Sequence, residues 1–241
     1  MSLFKRALDL LLPAPCSFCR APVADSGIPR FCSQCWLELS PVQGPVCPCC
    51  GRPFGSQESL AHSPEHECLT CRTDPPHFDQ ALAAGLFEGP LREAIHVYKY
   101  RPVRSLGKHL AAWMAEQVRM TVHLDLTMPV PLHRKRLRQR GFNQALILAH
   151  GISERFSVPL LYDNLMRLRS TRPQVELSGP ERRSNVKGAF GLVRPAEVRD
   201  KRILLIDDVF TTGATMNECA KVLKEAGAAS VTVLTLARTV E

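Results

Sequence analysis

Four Cys-x-x-Cys pairs crowd the start of the chain: Cys16/Cys19, Cys32/Cys35, Cys47/Cys50 and Cys68/Cys71. Two residues between thiolates let one tight turn aim both sulfurs at a tetrahedral ion roughly 2.3 Å away. Gly51 follows the third pair, where such a turn often needs a positive φ. A disulfide framework is the competing reading, but four repeats of one spacing and a cytoplasmic setting favour metal. Sequential pairing leaves spacers of 12 and 17 residues, and a cross-braced pairing fits the same sequence. One or two Zn2+ ions are therefore expected, as structural ions, since four thiolates close a site to chemistry. Cys49 breaks the spacing and reads as a bystander, and His62, His66 and His77 read as surface or loop residues.

The remaining composition is ordinary. Across 241 residues, 45% are hydrophobic and 22% charged, which excludes disordered and collagen-like chains. No apolar run reaches the roughly 18–20 residues that span a bilayer. Lys5 and Arg6 precede Leu10, Leu11 and Leu12 as in a signal peptide, but Asp9 interrupts the run. Pro13-Ala14-Pro15-Cys16 then spoils any cleavage or lipidation site, so a soluble, cytoplasmic protein without membrane insertion is expected.

Charge and cysteine divide the chain. The net charge is +8, yet residues 1–75 hold six basic and seven acidic side chains. Residues 134–194 hold thirteen Lys or Arg against four Asp or Glu, which marks an anion-binding surface. Only Cys219 lies beyond Cys71, and its helical spacing with Met216 and Leu223 makes it core. Two modules are expected, 1–75 and 76–241, split near Thr73-Asp74-Pro75-Pro76, where tandem prolines suit a linker.

The second module reads as α/β. Strands are expected over Ala81–Phe87, Leu124–Val130, Arg202–Ile206 and Ser230–Ala237. The Arg202–Ile206 run is continuously apolar, as suits a strand buried on both faces of a parallel sheet. One helix carries Leu91, Ala94, Ile95 and Tyr98 on one face, and others run over Leu106–Met120, Asn143–Phe156 and Ala214–Ala226, with Gly227 as a stop. Such alternation makes a doubly wound sheet whose ligands lie at the carboxyl ends of its strands.

At one of those ends stands Ile206-Asp207-Asp208-Val209-Phe210-Thr211-Thr212-Gly213-Ala214-Thr215. Two adjacent carboxylates cannot be core, because burying unpaired charge costs several kcal/mol. They can accept from ribose hydroxyls, directly or with Mg2+. The Thr-rich loop offers N–H groups, hydroxyls and a helix N-terminus, the parts of a phosphate cradle. It has neither the spacing nor the lysine of a Walker A loop. Arg134, Lys135, Arg136, Arg138 and Arg140 form a cationic reservoir for a dense anion. Lys99 ends a helix, where the dipole alone favours a cation; a ligand contact is the alternative. Asn143 can cap its helix or touch a ligand.

The segment from Leu205 to Thr215 resembles the phosphoribosyl pyrophosphate (PRPP) loop of type I phosphoribosyltransferases. The cysteine-rich start, Pro129-Val130-Pro131-Leu132-His133 leading to Arg140-Gly141-Phe142-Asn143-Gln144, and Gln174 followed by Arg182, Asn185 and Phe190 narrow the resemblance to the ComF/GntX competence and DNA-utilisation family. The resemblance implies a type I phosphoribosyltransferase-like sheet and a Mg2+-dependent PRPP site. In it Asp207 and Asp208 take the ribose hydroxyls, and Thr211, Thr212, Gly213, Ala214 and Thr215 take the 5′-phosphate. The turn of Pro131, Leu132, His133 and Arg134 falls where such enzymes bind pyrophosphate. Residues from about Thr171 to Phe190 fall where they carry a flexible hood. Arg136, Arg138, Arg140, Asn143, Gln144, Gln174, Arg182 and Asn185 are candidates for the acceptor, DNA or hood. Implied partners are PRPP, single-stranded DNA, and a competence helicase or other DNA-uptake protein. Three functions compete: a transferase with an unidentified acceptor, a non-catalytic single-stranded-DNA-binding uptake factor, and a PRPP-sensing regulator.

Overall fold

A computed structural model describes residues 14–23, 26–55, 66–101, 103–170 and 184–240. Two short helices, α1 (Ser33–Leu37) and α2 (Leu69–Thr73), belong to the cysteine-rich region. Then follow β1 (Gln80–Leu86), α3 (Gly89–Tyr100), α4 (Leu106–Gln117), β2 (Leu126–Pro129), α5 (Arg134–Arg140) and α6 (Gln144–Phe156). A small antiparallel pair, β3 (Leu165–Arg167) and β4 (Phe190–Leu192), precedes β5 (Arg202–Phe210), α7 (Ala214–Glu225) and β6 (Ser230–Arg238).

The main sheet runs β1-β6-β5-β2 and is parallel throughout. Ile203, Leu204, Leu205 and Ile206 of β5 are all buried, because helices cover both faces of that strand. Leu204 and Ile206 share one core with Leu110 and Met114 of α4 and Leu148 and Ile152 of α6. Ile203 and Leu205 share another with Cys219, Ala220 and Leu223 of α7. Fully burying one such side chain contributes about 1.5–3 kcal/mol, more than a cap or exposed ion pair, so these layers set which face each helix takes.

Element ends differ from the sequence expectation for local reasons. β2 begins at Leu126 because Asp125 is engaged beforehand, accepting from the Arg202 backbone N–H at 2.8 Å and its Nε at 2.9 Å. That pairing holds the Asp125 carboxyl well below the usual carboxylate range. β5 runs past Ile206 to Phe210, so both aspartates lie within the strand. The basic stretch forms α5, which its pattern does not announce, since none of its residues is buried and it has no apolar face. His133 caps it, Nδ1 accepting from the Lys135 N–H at 3.3 Å, and Gly141 ends it with φ +77°.

The cysteine region is built onto the sheet. Cys16, Phe31, Cys35 and Leu39 enter the same buried cluster as α3 and α4. The Val42 N–H donates to Ala84 at 3.1 Å, Leu86 to Ser40 at 2.9 Å, and Ala81 to Cys49 at 2.7 Å. These bonds cover the open edge of β1. No helix among the described residues is long and apolar enough to cross a membrane.

Candidate functional site

Two tetrads of cysteine converge sequentially: Cys16, Cys19, Cys32 and Cys35 in one, Cys47, Cys50, Cys68 and Cys71 in the other. Within each, the sulfurs lie within 4.8 Å of one another. Cys19 and Cys32 approach to 3.7 Å, as do Cys50 and Cys68. Sulfurs at the corners of a tetrahedron of ~2.3 Å bonds stand ~3.8 Å apart, so the donor set fits zinc. Burial pushes the Cys35 and Cys71 thiols well above the usual range, an effect a bound dication removes. Backbone N–H groups support the sulfurs: Cys35 donates to the Cys32 Sγ and Cys68 to the Cys47 Sγ. All ten cysteines are free, Cys49 stays outside both tetrads, and Cys219 is buried in the core. His77 is exposed; His66 packs against Phe54; His62 lies outside the described residues.

A cavity of about 330 Å³ opens at the carboxyl end of the sheet. Asp207 and Asp208 enter it from β5, and Thr211, Gly213, Ala214 and Thr215 from the loop that starts α7. Pro131, Leu132, Arg136 and Arg140 face them from the β2–α5 segment. Lys99 reaches in from the last turn of α3, its Nζ 2.7 Å from Asp208 Oδ1. Those side chains are 18% and 12% exposed, so this pair is shielded where surface pairs are not. Asp207 is half-buried, and one of its oxygens accepts from the Asp208 N–H at 2.9 Å. Burial and the Asp208 charge push the Asp207 carboxyl up to about 7, against the pull of Lys99 and Arg167.

The loop geometry follows from one glycine. Gly213 has φ +75°, and a Cβ there would collide with the Phe210 ring. It is the residue before α7, whose first N–H groups have no acceptor within the helix and point into the loop. Thr212 Oγ1 takes one of them, from Ala214, at 3.4 Å. Acceptors for hydroxyls or a divalent cation thus stand on one wall, and donors for anionic oxygens on the other.

The expected residues separate into two groups. Those named above line the cavity together. Thr212 faces a second cavity, of about 260 Å³, behind the loop. His133 is spent on its cap, and Arg134 and Arg138 are exposed on α5. Asn143 caps α6, accepting from Ala145 and donating to the Val130 carbonyl, both at 3.1 Å. Gln144 is buried and accepts from Arg140 at 3.1 Å. Asn185 uses its carbonyl for Arg169 at 3.3 Å, while Gln174 and Arg182 lie outside the described residues. Sequence reasoning missed Arg167, a cavity cation from β3 whose guanidinium covers the Phe190 ring at 5.2 Å. It also missed Tyr100, at the rim beneath Arg140 at 5.4 Å. Neither belongs to a local motif; each joins the site through tertiary packing.

Residues 7–72 match the double zinc ribbon domain, and residues 143–240 the phosphoribosyl transferase domain. The molecule is thus a phosphoribosyltransferase-type sheet carrying an N-terminal pair of zinc sites. Competence protein F of Haemophilus influenzae is 32% identical over 232 residues, covering 92% of this chain and 96% of that one. DNA utilization protein YhgH of Escherichia coli O157:H7 is 33% identical over 236 residues, covering 95% and 99%. The chain belongs to this ComF competence and DNA-utilisation family. Among solved structures, the glutamine PRPP amidotransferase of B. subtilis overlaps 54% of this chain and 26% of that one, at 24% identity and a TM-score of 0.38.

Proposed function

We propose that this protein binds PRPP with Mg2+ in the 330 Å³ cavity and acts as a phosphoribosyltransferase-like protein in the uptake or use of DNA. The observation that carries this reading is the meeting of Asp207 and Asp208, the Thr211–Thr215 loop, and Arg136, Arg140 and Arg167 around one cavity. Asp207 and Asp208 would hold the ribose hydroxyls and, with them, Mg2+. N–H groups at the start of α7 hold the 5′-phosphate, helped by the helix dipole. Pro131 and Leu132 of the turn, with Arg136 and Arg140 of α5, hold pyrophosphate. Bound Mg2+ supplies neutralising charge for the departing pyrophosphate. As the bond from the anomeric carbon to pyrophosphate breaks, positive charge develops on that carbon. The two carboxylates stabilise it electrostatically while the acceptor forms the new bond. Burial and the Asp208 charge raise the Asp207 carboxyl to about 7, so near neutrality it is divided between its neutral and charged forms.

The chain divides in role at residues 75 and 76: the first part staples, the second binds. DNA enters through the relatives' names and through α5, whose cationic side chains outnumber what pyrophosphate needs. Arg134, Lys135 and Arg138 lie outside the cavity lining, free to meet a phosphate backbone on its rim.

The test is pyrophosphate release from Mg·PRPP across a panel of bases and single-stranded oligonucleotides. Release with one acceptor class supports the transferase. No turnover with any acceptor, beside intact PRPP binding, sinks catalysis and leaves the sensor.

A further inference from the structure

Behind the phosphate loop, the second cysteine tetrad and the loop share a buried cation. Arg238, the last residue of β6, is 3% exposed, and its Nη1 donates to the Cys50 carbonyl at 2.5 Å. Its guanidinium lies over the Phe210 ring, 5.1 Å from the centroid, and its Nε has no hydrogen-bond partner among the described residues. Phe210 is the residue whose ring packs against Gly213, and its carbonyl accepts from the Thr239 N–H at 3.0 Å. On the other side, Gly51 follows Cys50 with φ +69° and lies so close to the Ala81 carbonyl that no Cβ fits. The cavity of about 260 Å³ between these parts is lined by Cys50, Cys68, Cys71, Phe210, Thr212 and Arg238, among others.

Among the described residues no carboxylate pairs with Arg238, although Asp74 lines the same cavity, so this buried cation draws on another anion. Four thiolates around a dication leave about two net negative charges, and Cys50 belongs to such a set. The contacts then form one chain: tetrad, Cys50 carbonyl, Arg238, Phe210, Gly213. We propose that Arg238 is a positioning residue that serves as counter-ion to the second zinc site and couples its occupancy to the shape of the PRPP loop. Outer partners of metal ligands commonly alter metal affinity by about 10–100-fold. Coupling between two sites is reciprocal, so PRPP tightens zinc by the factor with which zinc tightens PRPP. The coupling rests on the PRPP reading; the counter-ion role does not.

The test labels the full protein with N-ethylmaleimide under limiting chelator, following each cysteine by peptide mass spectrometry, so that the first tetrad serves as internal control. In the wild type, Mg·PRPP should slow labelling of Cys47, Cys50, Cys68 and Cys71 at least about fivefold, leaving Cys16 to Cys35 unaffected. Arg238→Met should speed labelling of the second tetrad about tenfold and abolish the protection. Arg238→Lys should restore most of the wild-type rate by keeping the charge. Unchanged second-tetrad labelling in Arg238→Met overturns the counter-ion role. Equal PRPP protection in variant and wild type overturns the coupling. A wild type that binds no PRPP fails the PRPP reading, and the labelling rates still decide the counter-ion. Should Arg238→Met not fold, Phe210→Leu keeps the cation and removes the ring. It should weaken PRPP binding with second-tetrad labelling near wild type, and unchanged PRPP affinity there also overturns the coupling.

Discussion

Around the second tetrad the buried cluster consists of Cys47, Cys68 and Cys71, with Cys49, Cys50 and Phe54 partly buried against it. Around Asp207 and Asp208 the strand is anchored by Ile203, Leu204, Leu205 and Ile206, buried on both faces. The first region has sulfur where a domain would have a core, and its geometry depends on a bound ion. The second has a sheet beneath it, so Asp207 and Asp208 are placed by β5, and only the loop behind them meets the second tetrad, through Phe210 and Arg238. One holds its shape through the metal; the other has spare polar groups with which to capture a ligand.

The largest effect expected of that contrast is on zinc removal. Structural zinc in small tetrahedral sites contributes about 10–16 kcal/mol of apparent binding energy, most of it spent on folding. A chelator should therefore open the amides of residues 14–23, 26–55 and 66–74 to hydrogen exchange before those of β5 and β6. Reduced, freshly purified protein without zinc by elemental analysis would break the comparison at its first term.

The loop offers the next test. Gly213→Ala forces a Cβ onto the Phe210 ring at φ +75°, and such backbone strain costs about 1–3 kcal/mol. A lowered urea midpoint together with weakened PRPP binding is expected, whereas zinc content should stay unchanged. Full PRPP affinity in this variant would mean that the loop does not hold the phosphate.

Protonation gives a smaller, graded effect. Asp207 is raised to about 7, so its neutral form is favoured in the folded protein. Whatever it contributes to stability is present below its unfolded value and lost as pH rises through 7. PRPP affinity should move the other way, growing up to about tenfold per pH unit below 7 and levelling above it. Calorimetric titrations from pH 5.5 to 8.5 measure this directly, and a flat profile would remove Asp207 from the site.

The smallest effect belongs to the basic rim. Replacing Arg136 and Arg138 with Gln should flatten the salt dependence of single-stranded DNA binding by about 0.7 per lost phosphate contact. Arg136 also lines the cavity, so PRPP binding should weaken in the Arg136 variant and hold in Arg138→Gln. A wild type with no salt-dependent DNA binding at low ionic strength would end the DNA role for this surface.

What the sequence made legible was whatever is local. Cys-x-x-Cys spacing is local, although the choice between sequential and cross-braced pairing required the sulfurs to be placed in space. The strand over Arg202–Ile206 and the loop after it are local too, because burial on both faces writes a continuous apolar run. Helix α5 was illegible for the opposite reason, being a surface helix with no buried residue to impose a period. Arg167, Tyr100 and Arg238 carry no local signature. They reach their positions through β3, the end of α3 and the end of β6, so only the assembled sheet brings them to the cavities.

The most direct test is a calorimetric titration of PRPP into the zinc-loaded full chain, with and without Mg2+, beside the Asp207→Asn/Asp208→Asn double variant. One PRPP per chain, bound only with Mg2+ and lost in a double variant that melts like the wild type, is the predicted result. PRPP binding of equal strength without Mg2+, or by the double variant, would contradict the assignment of the site.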